Sequence, residues 1–168
     1  MIVISVALAG LAVLGLGLAP ELLPALALAA VAPPLFSIDL AEHRLPNRLV
    51  VVAVLAGVAA LGLSWLATGR PPLVPLLSGV IYGGVLLLLA LFGGIGMGDV
   101  KLATALGLAS PSLVIAELSP LLAFLLGGIA AVIVLLRRGR GTRIAFGPFL
   151  LVGYFAAIAL AAVLRLLP

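Results

Sequence analysis

No charged residue occurs in residues 1–20, 22–38, 49–69, 71–98, 118–136 or 144–164 of this chain. That single feature excludes most folds, because about a quarter of a soluble domain's residues carry charge. Here the fraction is 8%, with 65% apolar residues, and the mean hydropathy is +1.49. Lipid must be the main solvent. A bilayer crossing takes roughly 20 apolar residues, so 168 residues hold about six or seven helices in one integral membrane domain, 1–168, with no soluble partner domain.

Polar, Pro and Gly breaks place the spans at about 2–19, 22–38, 49–67, 73–92, 100–110, 113–136 and 146–166. Within them the Leu, Ala and Val runs lack period-2 alternation, and a lipid-exposed backbone must satisfy its own hydrogen bonds. The expected fold is therefore all-α, a polytopic membrane helical bundle. The fifth segment is short and stops at Ser110-Pro111-Ser112. It reads either as a half-helix or as a span extending towards Glu117, with the next helix starting near Pro120. The first segment lacks the basic lead-in of a cleavable signal and reads as a retained helix.

Orientation follows from the positive charges in the short loops. With a cytoplasmic N-terminus, Arg44, Arg48, Lys101, Arg137, Arg138, Arg140 and Arg143 share the cytoplasmic side, and only Arg70 and Arg165 lie outside. These scattered cations form no basic face for nucleic acid. The chain has no Cys and one His, which rules out disulfides, thiol nucleophiles and Cys/His zinc sites. Gly83-Gly84 and Gly127-Gly128 read as places where helices approach closely.

Only five acids occur: Glu21, Asp39, Glu42, Asp99 and Glu117. An acid in a membrane protein needs a reason. Asp39 closes the second span and Asp99 opens the fifth. The hairpin of the third and fourth spans returns the chain to one face, so span parity alone puts both carboxylates at one membrane edge. Two readings are open from the residues. The pair shares a proton, as in aspartic proteases, or each Asp caps a helix or pairs with Arg44 or Lys101. A non-enzymatic transporter or assembly subunit that uses the two acids for ions or protons is a further alternative, although ion pathways favour polar groups near the midplane and these sit at span ends. His43 and Glu42 lie in a polar loop and read as solvated surface. Glu21 and Glu117 fall near the opposite face.

Three ordered stretches carry a resemblance. Asp39 is followed by Leu45-Pro46-Asn47 at the start of the third span. Gly93-Gly94-Ile95-Gly96-Met97-Gly98-Asp99 is followed by Lys101-Leu102. Ile144-Ala145-Phe146-Gly147-Pro148-Phe149 opens the last helix. In these the chain resembles the prepilin peptidases, the type IV leader peptidases among the GxGD membrane aspartic proteases, over roughly residues 22–165. The resemblance implies that Asp39 and Asp99 are the catalytic pair and that no metal or organic cofactor is required. It also implies cleavage of pilin-like precursors, lying in the bilayer, at the cytoplasmic membrane face. Around the pair, Gly96 and Gly98 are expected to give positive φ and close approach to Asp99. Pro46 and Asn47 are expected to fix the start of the third helix, Asn47 by side-chain bonds to the backbone. Lys101 is expected to anchor to lipid headgroups or to pair structurally. Larger family members carry a cysteine-containing insertion associated with methylation. This chain has no cysteine and resembles the short, cleavage-only forms. Ala145 replaces the Pro of the third signature.

Overall fold

The computed structural model describes residues 1–20, 22–93, 95–138 and 144–166 as seven α-helices. They are α1 (Ile2–Leu16), α2 (Leu22–Glu42), α3 (Asn47–Thr68), α4 (Leu73–Leu91), α5 (Met97–Leu108), α6 (Leu113–Arg138) and α7 (Gly147–Leu166). Among the described residues there is no strand. Glu21, Arg140, Arg143 and the side chains of Arg138 and Arg165 lie outside the described residues. Helices α2, α3, α4, α6 and α7 are each long and apolar enough to cross a membrane. Their outer faces carry Trp65, Leu66, Leu88, Leu121 and Val132, all more than half exposed. So broad an apolar surface suits lipid and not water. The protein is an integral membrane helical bundle.

The helix ends follow local chemistry. Gly69 stops α3 in the left-handed region at φ 65° and donates its N–H to Trp65 O at 2.8 Å, just ahead of Pro71-Pro72. The fifth segment resolves as a short helix of 12 residues, with α6 starting at Leu113 and Pro120 inside it. At 1.5 Å per residue α5 rises about 18 Å, against a hydrocarbon core about 30 Å thick. It sinks part of the way into the bundle, and α6 returns the chain to the end from which α5 began.

Helix α5 is the centre of the packing. It inserts between α3 and α4 and also touches α7 and α2, while α1, α2, α6 and α7 close the bundle around it. Leu102 and Leu106 are fully buried beside Leu28 and Leu35 of α2, Ile115 of α6 and Tyr154 and Ile158 of α7. Glycine makes the insertion possible. A Cβ on Gly57 of α3 would meet Leu108 Cβ at 2.8 Å, and one on Gly79 of α4 would meet Leu108 Cδ2 at 2.7 Å. In lipid, such close approach replaces the hydrophobic drive that water supplies. Of the glycine pairs, Gly83 packs on Thr104 and Gly127 on Phe146, whereas Gly84 and Gly128 face open space.

Two tyrosines complete the backbone bonding. Pro120 has no N–H, so the carbonyl of Ala116, one turn earlier, loses its helical donor. The Tyr82 hydroxyl of α4 donates to that carbonyl, with Ser110 and Ser119 beside it. Tyr154 OH donates to Ala109 O at 2.7 Å and so covers the C-terminal end of α5. Tyr82→Phe leaves the Ala116 carbonyl unpaired and is expected to lower stability by about 1 kcal/mol. Equilibrium unfolding in mixed detergent micelles measures it, and wild-type stability in the variant would mean that the carbonyl has another partner.

Candidate active site

Asp39 sits on the last turn of α2 because the chain leaves the helix there: His43, at φ 51°, donates its N–H to Asp39 O at 2.9 Å and turns the backbone away. The Asp39 side chain is buried, at 4% exposure. Its Oδ2 accepts the Gly147 N–H at 3.1 Å, across 108 residues of sequence. Gly147 is the first residue of α7, where the N–H groups have no partner within the helix and the helix dipole favours negative charge. Phe146 O accepts the first α7 bonds, from Phe149 and Leu150, and Pro148 fits the first turn since it has no N–H to leave unpaired there. A Cβ on Gly147 would lie 2.8 Å from Asp39 Oδ2. Only glycine permits this contact.

Asp99 occupies the third position of α5, and Gly96 is the cap. The carboxylate folds back to the Gly96 N–H, half of a capping box. Its other oxygen, Oδ1, is buried without a hydrogen-bond partner. Asp99 lies ahead of the apolar stretch of its helix, and burial, reinforced by the negative charge of Asp39, pushes its carboxyl up to about 7. The glycines act differently from the expectation of positive φ. That conformation falls on Gly93, at φ 83°, whereas Gly96 is extended at φ −78° and Gly98 is inside the first turn of α5. Gly96 gives room to the returning carboxylate, since its Cβ would lie 3.4 Å from Asp99 Oδ2, and Gly98 gives room to Leu45, whose Cβ would be 2.9 Å away. Helix capping and packing, not backbone strain, account for both.

Neither basic neighbour neutralises an aspartate. Arg44 pairs with Glu42 at 2.6 Å, and Lys101 Nζ donates to Asn47 Oδ1 at 3.0 Å. Lys101 thus ties α5 to α3, the structural pairing among its expected roles. Pro46 caps α3 in an extended conformation, as a rigid start, but the Asn47 side-chain oxygen serves Lys101 and no side-chain cap bond forms there.

Both aspartates line one open pocket of about 680 Å³, together with His43, Gly96, Gly128 and Phe146. It gathers the end of α2, the α4–α5 connection, the second half of α6 and the approach to α7. His43 is exposed, as read from its loop, yet it borders this pocket. Exposed Glu117 lies near the start of α6 and takes no part. The residue that sequence reasoning missed is Gly147, although the third signature contained it. Among the described residues no cluster of three or more His, Asp or Glu stands close enough to hold a metal ion.

Two buried-end carboxylates in one pocket of a polytopic membrane bundle define a class: membrane proteins with a paired acidic centre. The family comparison narrows it. The sequence model of the type IV leader peptidase family matches residues 26–136, most of the chain and both aspartates, and the chain belongs to that family. No curated protein and no solved structure matches it. It is therefore a leader-peptidase-like protease, and processing of precursor proteins follows from the family. Gly147 lies beyond the matched residues.

Proposed function

We propose that this chain is an aspartic endopeptidase that removes the leader of type IV pilin-like precursors at the cytoplasmic face of the cell membrane, with Asp39 and Asp99 as the catalytic pair. The observation that carries the reading is the shared pocket, in which one acid holds a backbone donor and the other presents a buried oxygen without a partner. Burial raises the Asp39 carboxyl as well, but the Gly147 N–H at the N-terminus of α7 opposes that, so Asp39 is the ionised member and takes a proton from the attacking water. Asp99, protonated, donates to the scissile carbonyl oxygen. The tetrahedral diol then collapses, the amine leaves with a proton, and the pair again holds one proton. No cofactor enters these steps. Arg44, Arg48, Lys101 and Arg137 are at the pocket's end of the helices, which supports a cytoplasmic site by the distribution of positive charge.

Reconstitution of the purified chain in lipid vesicles with a pilin-like precursor tests this reading. Leader loss appears as a gel shift, and mass spectrometry identifies the new N-terminus. A precursor left whole under conditions where the protein stays folded would refute it. The pH dependence has a defined sign. The reaction needs a proton on Asp99, and that carboxyl loses it as pH rises through about 7. Cleavage is expected to hold below neutrality and to fall about tenfold per unit above it. A rate that keeps rising up to pH 9 would remove the proton-donor role of Asp99.

A further inference from the structure

The aspartate pocket does not end at the acids. A second cavity, of about 180 Å³, lies deeper between α4 and α6, lined by Ile81, Tyr82 and Val85 on one side and Ser119, Pro120 and Phe124 on the other. Phe124 lines both cavities. On α6, Pro120, Phe124, Gly127, Gly128 and Ala131 follow helical spacing, so one face of a single helix runs from the deep cavity to the acids, about 17 Å along the axis. Opposite it, α4 touches α6 only sparingly, whereas α4 packs closely on α5 and α6 on α7. The gap is open sideways, since Ile81, Val85 and Phe124 are all at least 39% exposed. Gly128 stands open as well: a Cβ there would touch nothing within 4 Å.

We propose that this crevice between α4 and α6 is the lateral docking surface for the apolar helix of the precursor, with Phe124 at the step between the deep cavity and the aspartates. The inference rests on the protease reading and adds where the substrate lies. Its occupant follows from the lining. The deep part is apolar, and towards the aspartates the α6 wall narrows to the open Gly128 and to Ala131, which lets another helix approach closely in lipid, where a polar peptide would find no partners. The crevice also ends where the scissile bond must arrive. A helix entering between α4 and α6 from the bilayer carries its polar end to Asp39 and Asp99 without leaving the membrane.

The chain has no cysteine, so single cysteines report contact cleanly. In native membranes, Gly128→Cys and Ala131→Cys are each expected to form a disulfide with a cysteine placed in the first turns of the precursor's apolar helix. Gly62→Cys, on an exposed and open position of α3, is expected not to. Gly128→Leu fills the crevice and should raise KM for the precursor by about tenfold or more, while Gly62→Leu leaves cleavage as in wild type. Crosslinking as strong at position 62, or Gly128→Leu cutting with wild-type KM, would overturn the docking surface and leave the protease reading intact. The second result is also what a crevice filled only by lipid acyl chains would give. Failure of the wild-type chain to cut the precursor would instead sink the protease reading, and the proposed occupant with it.

Discussion

Asp39→Asn and Asp99→Asn are each expected to reduce precursor cleavage by about 10³-fold or more, since each removes one side of a proton exchange that contributes at every bond-making step. The two losses should not add, because the carboxylates act as a unit: the double variant falls no further than either single one. Folding should survive. Asparagine keeps the shape of aspartate, and its oxygen can still accept the Gly147 N–H that Asp39 takes at 3.1 Å. At position 99 the buried Oδ1 without a partner means that a neutral side chain costs little there. Asp99→Asn is therefore expected to be at least as stable as the parent above pH 7, where the parent must ionise a buried acid. The sign follows from the raised carboxyl: the stability that is fully present below the ordinary carboxylate value of 3.8 is lost progressively as pH rises from there through about 7, and the asparagine has no such loss. Cleavage and melting are read on the same detergent-solubilised samples. A single variant that retains a tenth of the parent rate would exclude that residue from the bond-breaking step.

Much of this is legible in the sequence. Uncharged apolar runs between polar breaks give all seven helices in order, because in lipid a segment's length and its hydrogen bonding leave no other secondary structure. Span parity brings the ends of α2 and α5 together, and the shared pocket of Asp39 and Asp99 agrees with it. The failures share a cause. That α5 wedges between α3 and α4 depends on Gly57 and Gly79 both facing Leu108, and a periodic apolar sequence does not say which glycine meets which neighbour. Of Gly83-Gly84 and Gly127-Gly128, half of each pair touches nothing, for the same reason. That Pro120 lies inside α6 and orphans the Ala116 carbonyl, and that Tyr82, 34 residues away, fills it, are tertiary facts with no local signal. Positive φ was expected at the motif glycines Gly96 and Gly98, yet the loop turns at Gly93 and uses the other two for capping and packing. Local chemistry sets which elements form. Tertiary contact decides what each small residue is for.

Gly147→Ala follows from that distinction and is the second large effect. A methyl group there would stand 2.8 Å from Asp39 Oδ2 and 3.1 Å from Leu45 Cδ2, inside contact distance for both. Either α7 withdraws, and the N–H bond to Asp39 lengthens, or the carboxylate rotates away from Asp99. A displacement approaching 1 Å at a reacting group costs about 10²-fold in rate. Overpacking itself costs about 1–3 kcal/mol wherever it occurs, so stability alone would not separate a site effect from a packing effect. Gly57→Ala serves as the matched control, because its added methyl meets Leu108 Cβ at the same 2.8 Å between α3 and α5, away from the aspartate pocket. Both variants should melt lower by similar amounts. Per folded molecule, Gly57→Ala should keep kcat within a few fold, and Gly147→Ala should lose it by about 10²-fold, with the acid side of its pH profile moved because Asp39 has lost its donor. Equal kcat in the two variants would mean that the Gly147 contact supports the fold and leaves the acids' chemistry alone.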